Sequence, residues 1–422
     1  MQIRLGQLHF TAVTNPEQIQ TLFRSSKQLS SKPGTIFILK GLLLSPASAL
    51  VHYVADNSGM AATPRKGSNI APVDRIHFHQ ASAVQKFLSG KHLIYLAERY
   101  LATLDRNLDA MFDPLLPADG EWAEFPDLFK FLQTHISRAA IETVMGTKIL
   151  ELNPTLVDDF WDFEAKAPKF LRCVPGWLLP TANRARTRLL NTVKDWHSLA
   201  NQHFDCRKTG PEDPEWEPYF GSKLIRRRQE YSLDTSWMNA DARASEDMGL
   251  IFALNSNVVP STFWFMFEAI KDVSLCRRML DEVQACTSSE TGHIDVIKLG
   301  TQPLLQSVYA ETLRLRVAPG IVRVPEMDDW NLDGYRVKKG HTLIAFSRPA
   351  ALNEEAWTLA GRKPTRPLEE FQAERFLVEK KTSPHESDGN TRNKAGQARK
   401  ELELEFSLNG LAGCWLPYGD GQ

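Results

Sequence analysis

The sequence predicts a mainly α-helical α+β chain, one large helical domain spanning residues 1–422 with small sheets gathered toward its two ends. Three observations carry that expectation. Apolar residues recur at helical spacing from Ser82 to about Lys208 and again from about residue 218 to Leu315. Short alternating stretches with glycine turns, "DGY" and "KKG", crowd residues 317–346. And 42% of the 422 residues are apolar, enough for a large buried core.

The elements read in order as follows. "GQLHFTAV" alternates like a strand, and "NPEQIQTLFR" opens a helix with Asn15 as cap and Pro16 in the first turn. The apolar run Thr35 to Ala55 is interrupted by Lys40, Pro46 and His52, which suits a soluble core better than a membrane span. Residues 60–80 read as loop, and one helix is expected from Gln85 to Leu108. "DPLLPADG" and "PGWLLPTANR" break the helical pattern, and residues 208–217 form a polar linker. The stretch Met248 to Ile270 has the length of a span, but Asn255, Ser256, Asn257 and Pro260 at its centre favour a buried central helix. Residues 378–403 are strongly polar and read as a mobile loop.

Charge excludes some functions. Lys plus Arg (50) balances Asp plus Glu (51), so no global field favours nucleic acid or an acidic membrane. The five cysteines, Cys173, Cys206, Cys276, Cys286 and Cys414, are scattered without a C-x-x-C pair, which argues against a disulfide framework and a zinc site. His77-x-His79 lacks a third ligand nearby. Arg226, Arg227 and Arg228 read as a solvated helix face. The first residues carry no signal peptide or anchor, so a cytoplasmic location is the expectation for this chain.

Glu311 and Arg314 stand three apart on a helix, where carboxylate and guanidinium share a face. Alone this is what an ordinary surface pair has. Farther on, Phe371-Gln-Ala-Glu-Arg375-Phe376 sets an arginine among phenylalanines, a buried charge in need of a partner. Pro260 has no N–H, so the carbonyl of Ser256 loses its helical partner and the helix should open or kink there, with Asn257 able to hydrogen-bond into the gap.

The order E-x-x-R, then Ala-Glu-Arg-Phe, then a glycine-rich Leu416-Pro-Tyr418-Gly419-Asp-Gly421-Gln422 resembles the cytochromes P450, with Ala373 where relatives carry proline. The Asn–Pro pattern of Asn257 and Pro260 is similar to the branch holding sterol 7α-hydroxylases and prostacyclin synthase, and "EPYFGSKLIRRRQ" to fungal members. The resemblance implies the P450 fold, a haem cofactor and an axial cysteine, expected just beyond Gln422 together with the helix that follows it. Cys414 precedes the Gly-x-Gly pair and lacks the residues that follow the ligand. Arg323 is then expected beside a haem propionate, Tyr418, Gly419 and Gly421 in the haem loop, and Glu311, Arg314 and Arg375 in a structural ion network. No W-x-x-x-R is found in the helix Gln85 to Leu108, leaving Lys91 and His92 as substitutes. Residues 60–80, 165–182, 248–257 and 317–323 are expected to line the pocket. The implied function is haem-dependent hydroxylation of a lipophilic small molecule, a tailoring step in fungal secondary metabolism. NADPH-cytochrome P450 reductase is the implied partner, nucleic acid is not, and a monomer is expected. Full-length relatives are expected at the endoplasmic reticulum membrane. Two alternatives stay open: an isomerase or dehydratase of the same fold needing no reductase, and an inactive truncated remnant.

Overall fold

The computed structural model describes residues 2–5, 8–112, 124, 126–172, 174–208, 210, 212–380 and 403–418. Its contacts divide the chain into two compact units, residues 1–29 with 264–422, and residues 30–263.

The first unit holds the main sheet. The strand Gln2–Leu5 pairs antiparallel with Leu8–Val13. Leu8–Val13 runs parallel to Thr342–Phe346, with Phe10 opposite Thr342, and Thr342–Phe346 pairs antiparallel with Gly320–Pro325. Val13, Ile321, Leu343 and Ala345 bury their side chains against Ile19 and Leu22 of the helix Pro16–Arg24. That helix starts as its sequence dictates: the Asn15 side chain accepts from the N–H groups of Glu17 and Gln18, and Pro16 needs no donor there. The "DGY" turn closes the hairpin Trp330–Leu332 with Tyr335–Val337, with Gly334 at φ 86°. The strands Leu377–Glu379 and Leu404–Phe406 pair around residues 381–402, so the expected mobile loop falls mostly outside the described residues.

The helix Pro303–Arg316 is the spine of this unit. Pro303 occupies its first turn, and the Glu282 carboxylate accepts from Leu304 N–H (3.0 Å) and Leu305 N–H (2.9 Å), capping donors that have no partner within the helix. Its inner face packs Ala310 and Leu313 against Trp357, Phe376, Leu411, Cys414 and Trp415. Burying each large side chain contributes roughly 2–3 kcal/mol, so this cluster does much to hold the C-terminal segment to the helix.

The second unit is almost wholly helical. The apolar run near residue 35 becomes two helices, Lys32–Gly41 and Ala47–Ala55. The expected single helix Gln85 to Leu108 is instead two, Ile76–Phe87 and Gly90–Phe112, separated where Gly90 takes φ 52°. Helix Leu128–Met145 ends against a short hairpin, Trp216–Glu217 with Gly221–Ser222. Trp216 Nε1 donates to Thr143 O (3.0 Å) and Ser222 Oγ to Val144 O (2.9 Å), satisfying carbonyls that the helix end leaves free. Gly146 (φ 93°) and Gly221 (φ 64°) interlock there: a Cβ on Gly146 would stand 2.3 Å from Pro218 O. The residues of "DPLLPADG" lie outside the described residues.

Candidate functional site

In the first unit the ion network forms around Glu311, which is fully buried on the helix Pro303–Arg316. Arg314 reaches both carboxylate oxygens, Nε to Oε2 at 2.7 Å and Nη2 to Oε1 at 2.9 Å. Arg375 Nε donates to Oε1 at 2.8 Å, and the Gln372 N–H to the same oxygen at 3.0 Å. One carboxylate faces two buried guanidinium groups, so a positive charge is left over. Backbone carbonyls solvate it: Ala351 O for Arg314, and Arg366 O, Pro367 O and Glu370 O for Arg375. Such complete pairing is what makes a buried ion cluster tolerable. The substitution at Ala373 leaves this intact, because Ser307 Oγ donates to Ala373 O (2.5 Å) and Phe376 N–H bonds Ser307 Oγ (3.2 Å).

The C-terminal segment registers on the same helix. Trp415 Nε1 donates to Ala310 O (3.0 Å), one residue before Glu311. Gln20 Nε2 donates to Ala412 O (2.6 Å), and Gly413 at φ 86° passes so close to Pro16 that a Cβ would lie 2.3 Å from its carbonyl oxygen. Tyr418 O–H bonds Tyr309 O–H at 2.6 Å, half-exposed, and burial followed by that bond raises its phenol above the usual range. Gly419 and Gly421 lie outside the described residues. Arg323 is buried on the strand Gly320–Pro325, with Nη1 donating to Val322 O (2.7 Å) and the guanidinium 6.0 Å from the Phe23 ring.

Neither Cys414 nor Cys206 fits as a haem thiolate ligand. Cys414 is 1% exposed, packed between Trp357, Trp415 and Leu411, and burial pushes its thiol up rather than toward the thiolate a metal needs. Cys206 is buried with its thiol likewise raised, first by burial. No step through the group is therefore derived from the described residues.

In the second unit the helix Ala240–Asn255 stops at the expected point and a new helix, Val258–Lys271, begins. Pro260 stands in the first turn of the new helix, where a missing N–H costs nothing, and Asn257 O accepts from Ser261 N–H (3.1 Å) as the new ladder starts. Asn257 is exposed. The buried amide is Asn255: its Nδ2 donates to Ile251 O (2.8 Å), while its Oδ1 has no protein partner. The stretch Ala240–Lys271 is long and apolar enough to cross a membrane by length and composition. The expected buried central helix, Met248–Ile270, is not found: only Met248, Ile251, Asn255, Val259, Glu268 and Ala269 of it are buried, Val258, Phe267 and Ile270 are exposed, and the burial lies mainly in the first half of Ala240–Lys271, before Met248, at Ala244–Asp247.

That first half carries a second polar cluster, which the sequence did not announce. Asp247 accepts from Arg228 Nε (2.8 Å), His197 Nε2 (2.9 Å) and Gln229 Nε2 (2.7 Å). Burial alone would raise its carboxyl, but the Arg228 charge and the His197 hydrogen bond overcome it and hold the group down to about 2. Glu246 accepts from Tyr53 O–H, from Tyr231 O–H (3.0 Å) and from Gln80 Nε2 (2.6 Å). Burial, then the Glu246 charge, raises the Tyr53 phenol well above its usual value. Arg226 and Arg228 are 2% and 7% exposed, so the expectation of a solvated arginine face is wrong; only Arg227 pairs at the surface, with Glu230 at 2.8 Å. His77 and His79 bond backbone carbonyls, of Tyr53 (3.0 Å) and Pro72 (2.9 Å). Among the described residues no group of three His, Cys, Asp or Glu side chains could hold a metal. His92 is paired with Glu215 at 2.7 Å, and Lys91 is exposed.

Comparison with known proteins places this geometry. The cytochrome P450 family model matches residues 61–392. Cytochrome P450 monooxygenase fsoE of Humicola fuscoatra is 35% identical over 82% of this chain and 60% of its own length. Cytochrome P450 monooxygenase calL of Penicillium decumbens is 27% identical over 100% of this chain and 73% of its own. Rabbit (Oryctolagus cuniculus) cytochrome P450 7A1 is 22% identical over 80% and 61%. The chain spans about three fifths of the length of the first two curated relatives. A solved structure titled retinoic acid bound cyanobacterial CYP120A1 covers 89% of this chain and 74% of its own, with a TM-score of 0.57 and 15% identity, a likeness of fold. The chain belongs to the cytochrome P450 family.

Proposed function

We propose that this chain is the body of a P450 monooxygenase that hydroxylates a lipophilic small molecule, a tailoring step in fungal secondary metabolism, with electrons from NADPH-cytochrome P450 reductase. The observation that carries the reading is the Glu311–Arg314–Arg375 network, buried and fully paired at the point where the C-terminal segment docks through Trp415. Haem, which family membership implies, supplies dioxygen activation when bound. The protein's own part is positional. Glu311 and its two arginines fix the helix against the segment Arg366–Phe376. Arg323 is the residue offered for pairing a haem carboxylate, and Tyr418 with Gly419 and Gly421 for the loop beside it. Asn257 and Pro260 are offered as the hydrogen-bonding group and the helix opening at the oxygen side. The names of the fungal relatives support a monooxygenase, and the endoplasmic reticulum membrane expected of full-length relatives is the location that goes with this reading.

The test is incubation of the natural protein with reductase, NADPH and isotopically labelled dioxygen against lipophilic metabolites of its own producing organism. One labelled oxygen atom in a product is the expected result. A second reading, an isomerase or dehydratase, is kept open by the Asn257–Pro260 pattern, which is similar to the branch that holds prostacyclin synthase. Turnover of a lipid peroxide without reductase, and no label incorporated from dioxygen, would replace the first reading with the second.

A further inference from the structure

The segment between Asp56 and Ile76 is an exposed loop with an unusually well-built anchor. Its tip is open: Met60 to Pro64 and Lys66 to Gly67 are exposed. Behind it Arg75 is 5% exposed and uses all three guanidinium nitrogens. Nε donates to Ser58 Oγ (3.1 Å), Nη1 to Ala62 O (2.8 Å) and Nη2 to Ala61 O (2.6 Å). Ser58 in turn donates to Asp56 Oδ1 through N–H (3.0 Å) and Oγ (2.7 Å), and Asp56 Oδ2 accepts the His77 N–H (3.1 Å). Gly59, at φ 79°, lets the backbone turn under Arg65, whose N–H bonds Ser58 O (2.8 Å).

The bonds do not stop at the loop. His77 Nε2 meets Tyr53 O at 3.0 Å, and the Tyr53 hydroxyl donates to Glu246 on the helix Ala240–Asn255. The links run from Ala61 and Ala62 through Arg75, Ser58 and Asp56 to the His77 backbone, then from the His77 ring to the Tyr53 carbonyl and from the Tyr53 hydroxyl to Glu246, so the path passes through the covalent frames of His77 and Tyr53. Every group on it is buried or half-buried away from the tip, so each bond resists opening more than it would in water.

We propose that Arg75 is a positioning residue that latches the loop Asp56–Ile70, and that Tyr53 and Glu246 couple this latch to the helix Ala240–Asn255, so that the loop is held in place and is not a mobile lid. The latch does not depend on the function proposed above. Lysine at position 75 keeps the charge, but its single ammonium nitrogen cannot reproduce the planar fork whose three nitrogens reach Ser58, Ala62 and Ala61. The Lys66–Gly67 bond is already at the surface, but a protease needs the segment released from its anchor to thread it, so cleavage after Arg65 and Lys66 reports the population in which the loop has opened.

The test is limited trypsinolysis of the full chain below its melting transition, read by mass spectrometry at Arg65 and Lys66. Arg75→Lys should speed cleavage there about tenfold or more, the loss of roughly one to two net hydrogen bonds. Ser58→Ala, a milder variant in case the first does not fold, should give a smaller rise. Glu246→Gln, which touches no loop residue, should raise the same cleavage about fivefold, and the double variant Arg75→Lys/Glu246→Gln should cleave no faster than Arg75→Lys alone. His197→Asn sits on the Asp247 side of the cluster and should lower the melting temperature without changing loop cleavage. Unchanged cleavage in Arg75→Lys or, if that does not fold, in Ser58→Ala overturns the latch. Unchanged cleavage in Glu246→Gln, or an equal rise in His197→Asn, overturns the coupling. Trypsin needs no haem, substrate or reductase, so failure of the monooxygenase reading would leave this result standing.

Discussion

Replacing Glu311 by alanine would strand two guanidinium groups in the core. Arg314 and Arg375 are 3% and 8% exposed, and both aim Nε at this one carboxylate, at 2.7 and 2.8 Å. Removing one partner from a buried pair costs about 3–5 kcal/mol. Here the orphaned charges also face each other, which places the expected loss at the upper end. Against a total stability of roughly 5–15 kcal/mol this is a third or more. With a urea slope of about 3 kcal/mol per molar, the unfolding midpoint should fall by about 1 to 2 M with the slope unchanged. Tryptophan fluorescence is the natural probe, since Trp357 and Trp415 flank the network. Glu403→Gln at the exposed pair with Lys380 serves as control and should leave the midpoint unmoved. A midpoint shift under about 0.3 M for Glu311→Ala would refute the reasoning, because it would mean that the carbonyls of Ala351, Pro367 and Glu370 suffice to hold both arginines without the carboxylate.

Other outcomes follow from the same geometry. Gly146→Ala should destabilise by about 2 kcal/mol or more, since the new Cβ meets a backbone oxygen at 2.3 Å and the residue sits at φ 93°; a melting temperature within a degree or two of wild type would contradict it. Asp247 is held down to about 2, below its ordinary value near 3.9, so its contribution of about 2 kcal/mol is present above pH ~4 and is lost as pH falls toward 2. Asp247→Asn should therefore flatten the acid limb of the stability profile, as measured by denaturant titration between pH 5 and pH 2 (a range set by those two values). Trp415→Phe removes the bond to Ala310 O and should cost about 1 kcal/mol, read from thermal unfolding. Cys414 should alkylate only as fast as the core opens, and the partly exposed Cys276 ahead of it, by timed iodoacetamide labelling and peptide mapping.

Which features could be read from the residues depends on the range of the interaction that makes them. Asn15 and Pro16 mark a helix start because a cap acts over two or three residues. The opening near Pro260 is legible because proline favours the first turn of a helix, so it marks the start of Val258–Lys271 and with it the end of Ala240–Asn255. Glu311, Arg314 and Arg375 were found because an arginine between phenylalanines demands a counter-charge, even 64 residues distant. The Arg226–Arg228 run misled because its partners, Glu246 and Asp247, lie on the next helix, at no spacing that pattern reading tests. Tyr53 and Glu246, 193 residues apart, had no local signal at all. The helix Ile76–Phe87 begins well before the expected start at Gln85, and no capping residue marks its start: Arg75 makes no side-chain capping bond, and its guanidinium serves the loop instead. The break at Gly90 was overlooked because "KFLSGKH" keeps helical apolar spacing across a glycine that takes a positive φ.

The most direct test is a reduced, carbon-monoxide difference spectrum of the protein purified from the organism that makes it. The account predicts stoichiometric haem and the long-wavelength Soret band of a thiolate-ligated iron, the thiolate coming from a cysteine outside the described residues. A haem-free protein, or a band of the histidine-ligated kind, would contradict it.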